Sequence, residues 1–267
     1  MTLADPLKQS GDGGFLANFS ANPLFSSAGP ARDDIDQGAV GDCYFVAALS
    51  AVAGTNPDLI RQTVVDLGDG TYAVSFHGAL GTDVYVRVDA DLWASAGTPT
   101  YANFGAQNSM WVPIAEKAYA FYKNAKGNYG SINGGNGAGW TPAQALGVGS
   151  SGFSTDSFAT ATLFLASMRQ QWLAGKAITV GGPAPFLPGT AMSKTDNPST
   201  SADENTYRRG AHVYTLVSVA SDLSSVTLRN PWATDGGGND ANPNDGYVTI
   251  PASVLFYCSG GFAAYTV

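Results

Sequence analysis

Charge is scarce in this 267-residue chain: charged side chains are 13% of it, with 13 Lys and Arg against 21 Asp and Glu, for a formal net charge of −8. Cations so few and so outnumbered argue against a nucleic-acid-binding or acidic-membrane surface. Cysteine is scarcer still. Cys43 and Cys258 are too few for a disulfide framework, and no zinc-ligand spacing surrounds them. Histidine occurs twice, as His77 and His212, so base chemistry near neutral pH has two candidates. No apolar run approaches the ~18 residues that span a bilayer. The opening Met-Thr-Leu-Ala-Asp-Pro lacks the basic and apolar regions of a secretory signal. The expectation is a soluble protein, intracellular or exported by a route that needs no such signal. What is plentiful is apolar side chain, 44% of the residues, enough for one larger domain or two lobes.

The informative stretch runs from Gln37 to Ser50, a glycine-hinged loop leading into a helix with a cysteine at the junction. Phe45, Ala48, Leu49 and Val52 follow helical spacing and predict one buried face, ended by Gly54. Cys43 would then stand in the first turn, where unpaired N–H groups and the helix dipole favour a thiolate. The competing reading is a buried packing residue, the usual state of a free cysteine. The two glycines and the aspartate just before it favour the reactive one.

Residues 1–30, rich in Gly, Ser, Asn and Pro, read as an irregular surface arm. Asn56 to Val65 reads as a short helix, and Thr71–Phe76 with Asp83–Asp89 as a hairpin. Helices are predicted at Met110 to Lys123, near Pro142–Leu146, and over Phe158 to Leu173. The second half then turns strand-like: Ala177–Val180, Ala211–Val219, Ser225–Arg229, Tyr247–Ile250 and Gly261–Val267, with Cys258 assigned to the packing of the final strand. A long polar segment, Gly181 to Gly210, interrupts it; loops of that length are functional or disordered. Helices first and strands later predict an α+β protein whose two lobes meet along a cleft.

A reactive Cys43 needs a base. His212, at the start of a strand after the long loop, is favoured over His77, whose hairpin lies in the same half as Cys43 and which reads as structural. The base needs an orienting acceptor, and Asn230 ends the next strand in Leu-Arg-Asn-Pro-Trp. Pro231 forces the chain out of the sheet and Trp232 supplies an apolar cover. Taken alone, Asn-Pro would only mark a turn.

Gln37-Gly-Ala-Val-Gly-Asp-Cys43-Tyr-Phe, His212-Val-Tyr and Arg229-Asn230-Pro231-Trp232 resemble, in chain order, the three signature segments of the calpain family, papain-like cysteine proteases. Asn22-Pro-Leu-Phe through Asp34-Ile-Asp-Gln37, Trp111-Val-Pro-Ile-Ala-Glu-Lys-Ala-Tyr119 and Asp245-Gly-Tyr-Val resemble further parts of that core, from about residue 20 onward, with no segment left for the extra domains of the animal enzymes. The resemblance implies an α+β, papain-like two-lobed core, helix-rich in its N-terminal lobe and β-rich in its C-terminal lobe. The expected division is an arm at 1–30, a lobe carrying Cys43 at 31–150, and a lobe carrying His212 and Asn230 at 151–267. It implies a cysteine endopeptidase acting through a thiolate–imidazolium ion pair and an acyl-enzyme intermediate, with Cys43 as nucleophile, His212 as base and later acid, Asn230 as orienter, and Gln37 with the Cys43 N–H as oxyanion donors. Gly210, Ala211 and Trp232 would border the substrate; Ala211 stands where the family has glycine, and Tyr44 where it has tryptophan. Gly29, Asp34 and Asp245 match the family's two calcium sites only in part, with Gly130 and Tyr247 replacing acidic ligands, so no cofactor is required and calcium dependence is expected to be weak or absent. The expected partner is a protein or peptide substrate, engaged by a monomer. Two other readings are a catalytically silent binding module and a transglutaminase-like acyltransferase; the latter is weakened by Asn230 standing where those enzymes carry a carboxylate. The arm and the 181–210 segment are candidate inhibitory elements.

Overall fold

The computed structural model describes residues 3–78, 81–134, 140–182, 212–235 and 245–267. At its centre lies α1 (Cys43–Ala53), in which all eleven residues are buried. The spacing predicts one buried face, but the intervening positions are Ala, Val and Ser with no charge, so the helix is apolar all round and surrounded on every side. It starts where the Asp42 carbonyl accepts from Phe45 N (2.7 Å) and Val46 N (3.2 Å). Then α2 (Pro57–Thr63) opens on Pro57, with the Asn56 side chain capping Leu59 N.

The first half carries more strand than its sequence predicts. The hairpin of β3 (Thr71–His77) and β4 (Asp83–Asp89) is present, extended by β2 (Val64–Asp66) into a three-stranded antiparallel sheet. A second small sheet places β5 (Asp91–Ser95) between β1 (Phe15–Asn18) and β6 (Thr98–Pro99). With α3 (Trp111–Lys123) these elements bury Phe45, Phe76, Trp111 and Tyr119 in one apolar cluster, Phe45 and Tyr119 stacking at 3.8 Å. The short α4 (Trp140–Ala145) follows.

The second half is one six-stranded antiparallel sheet in the order β11-β10-β9-β8-β12-β7. Its strands are β7 (Gly149–Ser154), β8 (Ala177–Gly182), β9 (His212–Val219), β10 (Ser225–Arg229), β11 (Tyr247–Pro251) and β12 (Gly261–Thr266). Side chains alternate across it. Val213 of β9, with Ala263 and Tyr265 of β12, joins the cluster around α1. Tyr214, Leu216, Phe262 and Ala264 join a second cluster with α5 (Ala161–Leu173) and α6 (Ala252–Cys258). Thr215 Oγ1 donates to Ala47 O at 2.8 Å, seating β9 on α1.

Three expectations change. The N-terminal arm is not irregular throughout, since β1 pairs with β5, and its earlier part is pinned down: Leu3 N donates to Asp89 Oδ2 (3.1 Å), Leu7 N to Gly127 O (3.1 Å), and Trp93 Nε1 to Pro6 O (2.8 Å). The buried Lys117 ammonium joins Asp5 to Asp89. These anchors all belong to the first half of the chain and strap the arm onto it. Gly149–Ser154 is a strand although its Gly and Ser give no periodicity. Cys258 ends α6 instead of lying in the final strand, and it packs in the second apolar cluster. The 181–210 segment lies outside the described residues after Gly182, as do Gly210 and Ala211.

Candidate active site

The best-defined part of the site is an imidazole with its tautomer fixed. His212 opens β9, is 4% exposed, and its Nε2 lies 2.8 Å from Asn230 Oδ1. The same Oδ1 lies 3.2 Å from Trp232 N, and a backbone N–H can only donate. That contact identifies the Asn230 atom as the amide oxygen. His212 must therefore carry its proton on Nε2 when neutral, leaving the lone pair on Nδ1. The Trp232 ring covers the imidazole, with centroids 4.5 Å apart. Burial lowers the His212 pKa below its ordinary 6.5, against the opposing effect of the Asn230 hydrogen bond.

Cys43 is the first residue of α1 and 8% exposed. Its sulfur takes a hydrogen bond from the backbone of Val213, the neighbour of His212, so nucleophile and imidazole are brought to the same corner of β9. The thiol does not follow the helix-terminus expectation. Burial pushes its pKa up from 9.0 to about 11, aided by the Asp42 charge, and the N–H contacts from Val213 and Tyr44 only partly offset this. Desolvation outweighs the dipole, so the resting sulfur is a neutral thiol.

The loop before Cys43 is tightly held. Gly41 N donates to Asn133 Oδ1 (3.0 Å), Gly134 N to Gly41 O (2.8 Å) and Ala39 N to Thr100 O (3.0 Å). A Cβ on Gly38 would stand 2.0 Å from Tyr101 O, so only glycine fits there. Gln37 is buried, and its Nε2 donates to Val40 O (2.8 Å) and Asp42 Oδ1 (3.2 Å) within its own loop. Under the loop lie two fully buried acids that the sequence reading left unassigned, Asp42 and Glu116. Ala102 N donates to Glu116 Oε2 at 2.9 Å, and the Asp42 and Glu116 carboxyls hydrogen-bond to one another. Burial pushes Asp42 from 3.8 up to about 7; burial and the Asp42 charge raise Glu116 well above 4.5. Nothing local marks this pair: Glu116 follows four apolar residues in α3, and its burial is a tertiary fact.

The remaining predicted residues lie elsewhere. His77 pairs with Asp83 across its hairpin at 3.1 Å. Asp34 is buried, its Oδ2 accepting from Ala31 N (2.9 Å) and Trp111 Nε1 (2.6 Å). The carbonyl of Gly29 accepts from Gln107 Nε2 (3.2 Å), and a Cβ at Gly29 would sit 1.9 Å from the Arg61 guanidinium. Asp245 Oδ1 accepts from Tyr247 N at 3.0 Å. The other carboxylate oxygen of Asp34, Oδ1, is buried and has no hydrogen-bond partner among the described residues. Among the described residues, no helix is long and apolar enough to cross a membrane.

A family profile described as calpain family cysteine protease matches residues 16–239. Among curated proteins the chain is similar to calpain clp-4 of Caenorhabditis elegans, 29% identical over 240 residues covering 83% of this chain and 30% of that protein. It is also similar to the calpain-1 catalytic subunits of Bos taurus, 37% identical over 122 residues, and Macaca fascicularis, 36% identical over 121 residues. Each of those two matches covers 43% of this chain and 16% of the relative. The chain thus spans less than a third of the length of these relatives.

Proposed function

We propose that this chain, which belongs to the calpain family of cysteine proteases, hydrolyses peptide bonds in protein or peptide substrates at Cys43, held between two papain-like lobes. The observation that carries the reading is the His212–Asn230 pair at 2.8 Å, with its proton on Nε2 and its Nδ1 lone pair available at the corner where Val213 meets the Cys43 sulfur.

The chemistry follows from the electrostatics. Burial disfavours both thiolate and imidazolium, so the pair rests neutral and the charges form as the bond forms. As sulfur attacks the scissile carbonyl, its proton passes to His212 Nδ1, and Asn230 Oδ1 stabilises the imidazolium through Nε2–H. The oxyanion falls to the Cys43 N–H, in the first helical turn, and to Gln37 Nε2. The Gln37 contact that an oxyanion would replace is the longer one, to Asp42. The intermediate collapses as Nδ1–H protonates the leaving amine, giving a thioester on Cys43. Water, its proton taken by His212, releases the acid and restores the thiol. The proposed cleavage contains no calcium step.

Cys43→Ala should abolish cleavage of an unfolded protein substrate that the wild type cuts, and an electrophilic thiol probe should label Cys43 in the wild type alone. The small exposure and raised pKa of Cys43 favour a second reading, a silent binding module; a wild type that neither cleaves nor labels would select it.

A further inference from the structure

Arg229 is a charged side chain only 3% exposed, at the end of β10 directly before Asn230. Each guanidinium nitrogen is committed. Nε donates to Asp33 Oδ1 (2.8 Å), Nη1 to the Asn230 carbonyl (2.9 Å), and Nη2 to the carbonyls of Asp33 (3.3 Å) and Ile35 (3.1 Å). The Tyr247 hydroxyl of β11 donates to the same Asp33 Oδ1, and the Arg229 guanidinium lies 5.5 Å from the Tyr247 ring centroid. Against the opposing effect of burial, Tyr247 and Arg229 thus hold the Asp33 carboxyl below its ordinary 3.8. Beside this cluster Gln37 N donates to Pro231 O at 2.8 Å. Segment 33–37 belongs to the first half of the chain and 229–231 to the second, and this cluster closes one onto the other.

We infer that Arg229 is a positioning residue for the proposed cleavage: it locks the loop that carries Gln37 to the strand end that carries Asn230, so that oxyanion donor and imidazole orienter sit on one rigid frame. The inference rests on the peptidase reading above. A planar fork with donors in several directions is what the task requires, since one side chain must reach two segments and a carboxylate at once. Lysine supplies the charge at a single point and cannot span these acceptors. Loss of the frame leaves the thiol and imidazole chemistry in place but lets the oxyanion donor drift, and a displacement of about 1 Å costs on the order of 10²-fold in rate.

The test compares wild type, Arg229→Lys and the milder Asp33→Asn, each normalised to active sites titrated with a thiol probe. For Arg229→Lys the expected result is kcat on a fluorogenic peptide reduced about 10- to 100-fold, with KM within about threefold. Affinity for a peptide aldehyde, whose hemithioacetal needs the oxyanion donors, should fall in step with kcat, while alkylation of Cys43 by iodoacetamide, which does not need them, stays within about threefold of wild type. Asp33→Asn should show the same split in weaker form. A merely structural Arg229 would lower the titratable fraction and leave kcat per site and aldehyde affinity unchanged in both variants, and that result overturns the inference. A wild type that forms no acyl-enzyme overturns the peptidase reading itself and takes this inference with it; equal turnover by wild type and variants overturns this inference alone.

Discussion

Glu116→Gln tests whether the floor beneath the catalytic loop is a pair of acids kept protonated by burial. Asp42 and Glu116 are both fully buried, and their carboxyls hydrogen-bond to one another. A carboxyl whose folded pKa is raised contributes stability that is complete below its unfolded value and lost as pH rises through the folded one. For Asp42 that window runs from 3.8 to about 7, and for Glu116 it begins at 4.5 and extends well above it. Within it each acid holds one proton that the unfolded chain has released, worth roughly 1.4 kcal/mol per pH unit. Glutamine keeps the acceptor for Ala102 N and offers an amide hydrogen where the protonated acid offers its own. The variant therefore removes one of the two slopes, and from about pH 5 to about pH 7 it should gain roughly 2–3 kcal/mol relative to wild type. His212 is common to both proteins and cancels in the difference. Urea unfolding at constant ionic strength gives that difference at each pH. A constant offset between the two proteins across the range would refute the reasoning, because it would mean that Glu116 ionises alike folded and unfolded.

Four further outcomes follow from the geometry. Gln37→Ala should lower kcat by about 10²–10³ without loss of thiol alkylation, read by steady-state kinetics beside iodoacetamide labelling. Trp232→Ala uncovers His212 and lets its pKa rise toward 6.5; because the base must be neutral, the acid limb of the kcat/KM profile should move to higher pH. Below that same 6.5 the unfolded chain protonates a histidine that the folded state keeps neutral, so His212→Gln should flatten the loss of stability with falling pH, measured by denaturant titration. Cleavage in excess chelator should lie within about twofold of cleavage in millimolar calcium, and strict dependence would show that Asp34 exchanges its indole and backbone donors for a cation.

Much of the local structure is legible in the chain. Helical spacing around Phe45, alternation in Thr71–Phe76 and Asp83–Asp89, and the strand-like second half all reappear as elements, because each is written in period and punctuation. What the sequence does not carry is which surface each element turns inward. Cys43 shows this most directly: the first turn of a helix predicts a depressed thiol pKa, yet the sheet laid over α1 removes water and drives it to about 11. Glu116 and Lys117 sit in a helix whose other residues are mostly apolar, a pattern that normally marks a solvated stripe, and both are buried because the arm and the Tyr101 loop close over them. Arg229 reads as one letter of Arg-Asn-Pro-Trp, and only the approach of segment 33–35, nearly two hundred residues earlier, gives it three of its four acceptors.

These burials share a consequence for the chemistry. Burial disfavours both the Cys43 thiolate and the His212 imidazolium, so a preformed ion pair finds little to stabilise it at rest. The residues that can stabilise charge at the moment of attack are dipoles already in place: the Asn230 oxygen on Nε2–H, the Cys43 N–H at the helix start, and the Gln37 amide. Fixed dipoles favour a charge only where they are aimed, and here their aim is set by contacts between the two halves, Gln37 N to Pro231 O and the three bonds of the Arg229 side chain to Asp33 and Ile35. Reactivity in this protein then depends on how rigidly those halves are joined more than on the basicity of either catalytic side chain. Loosening the join should depress turnover while leaving the titration of His212 where burial puts it.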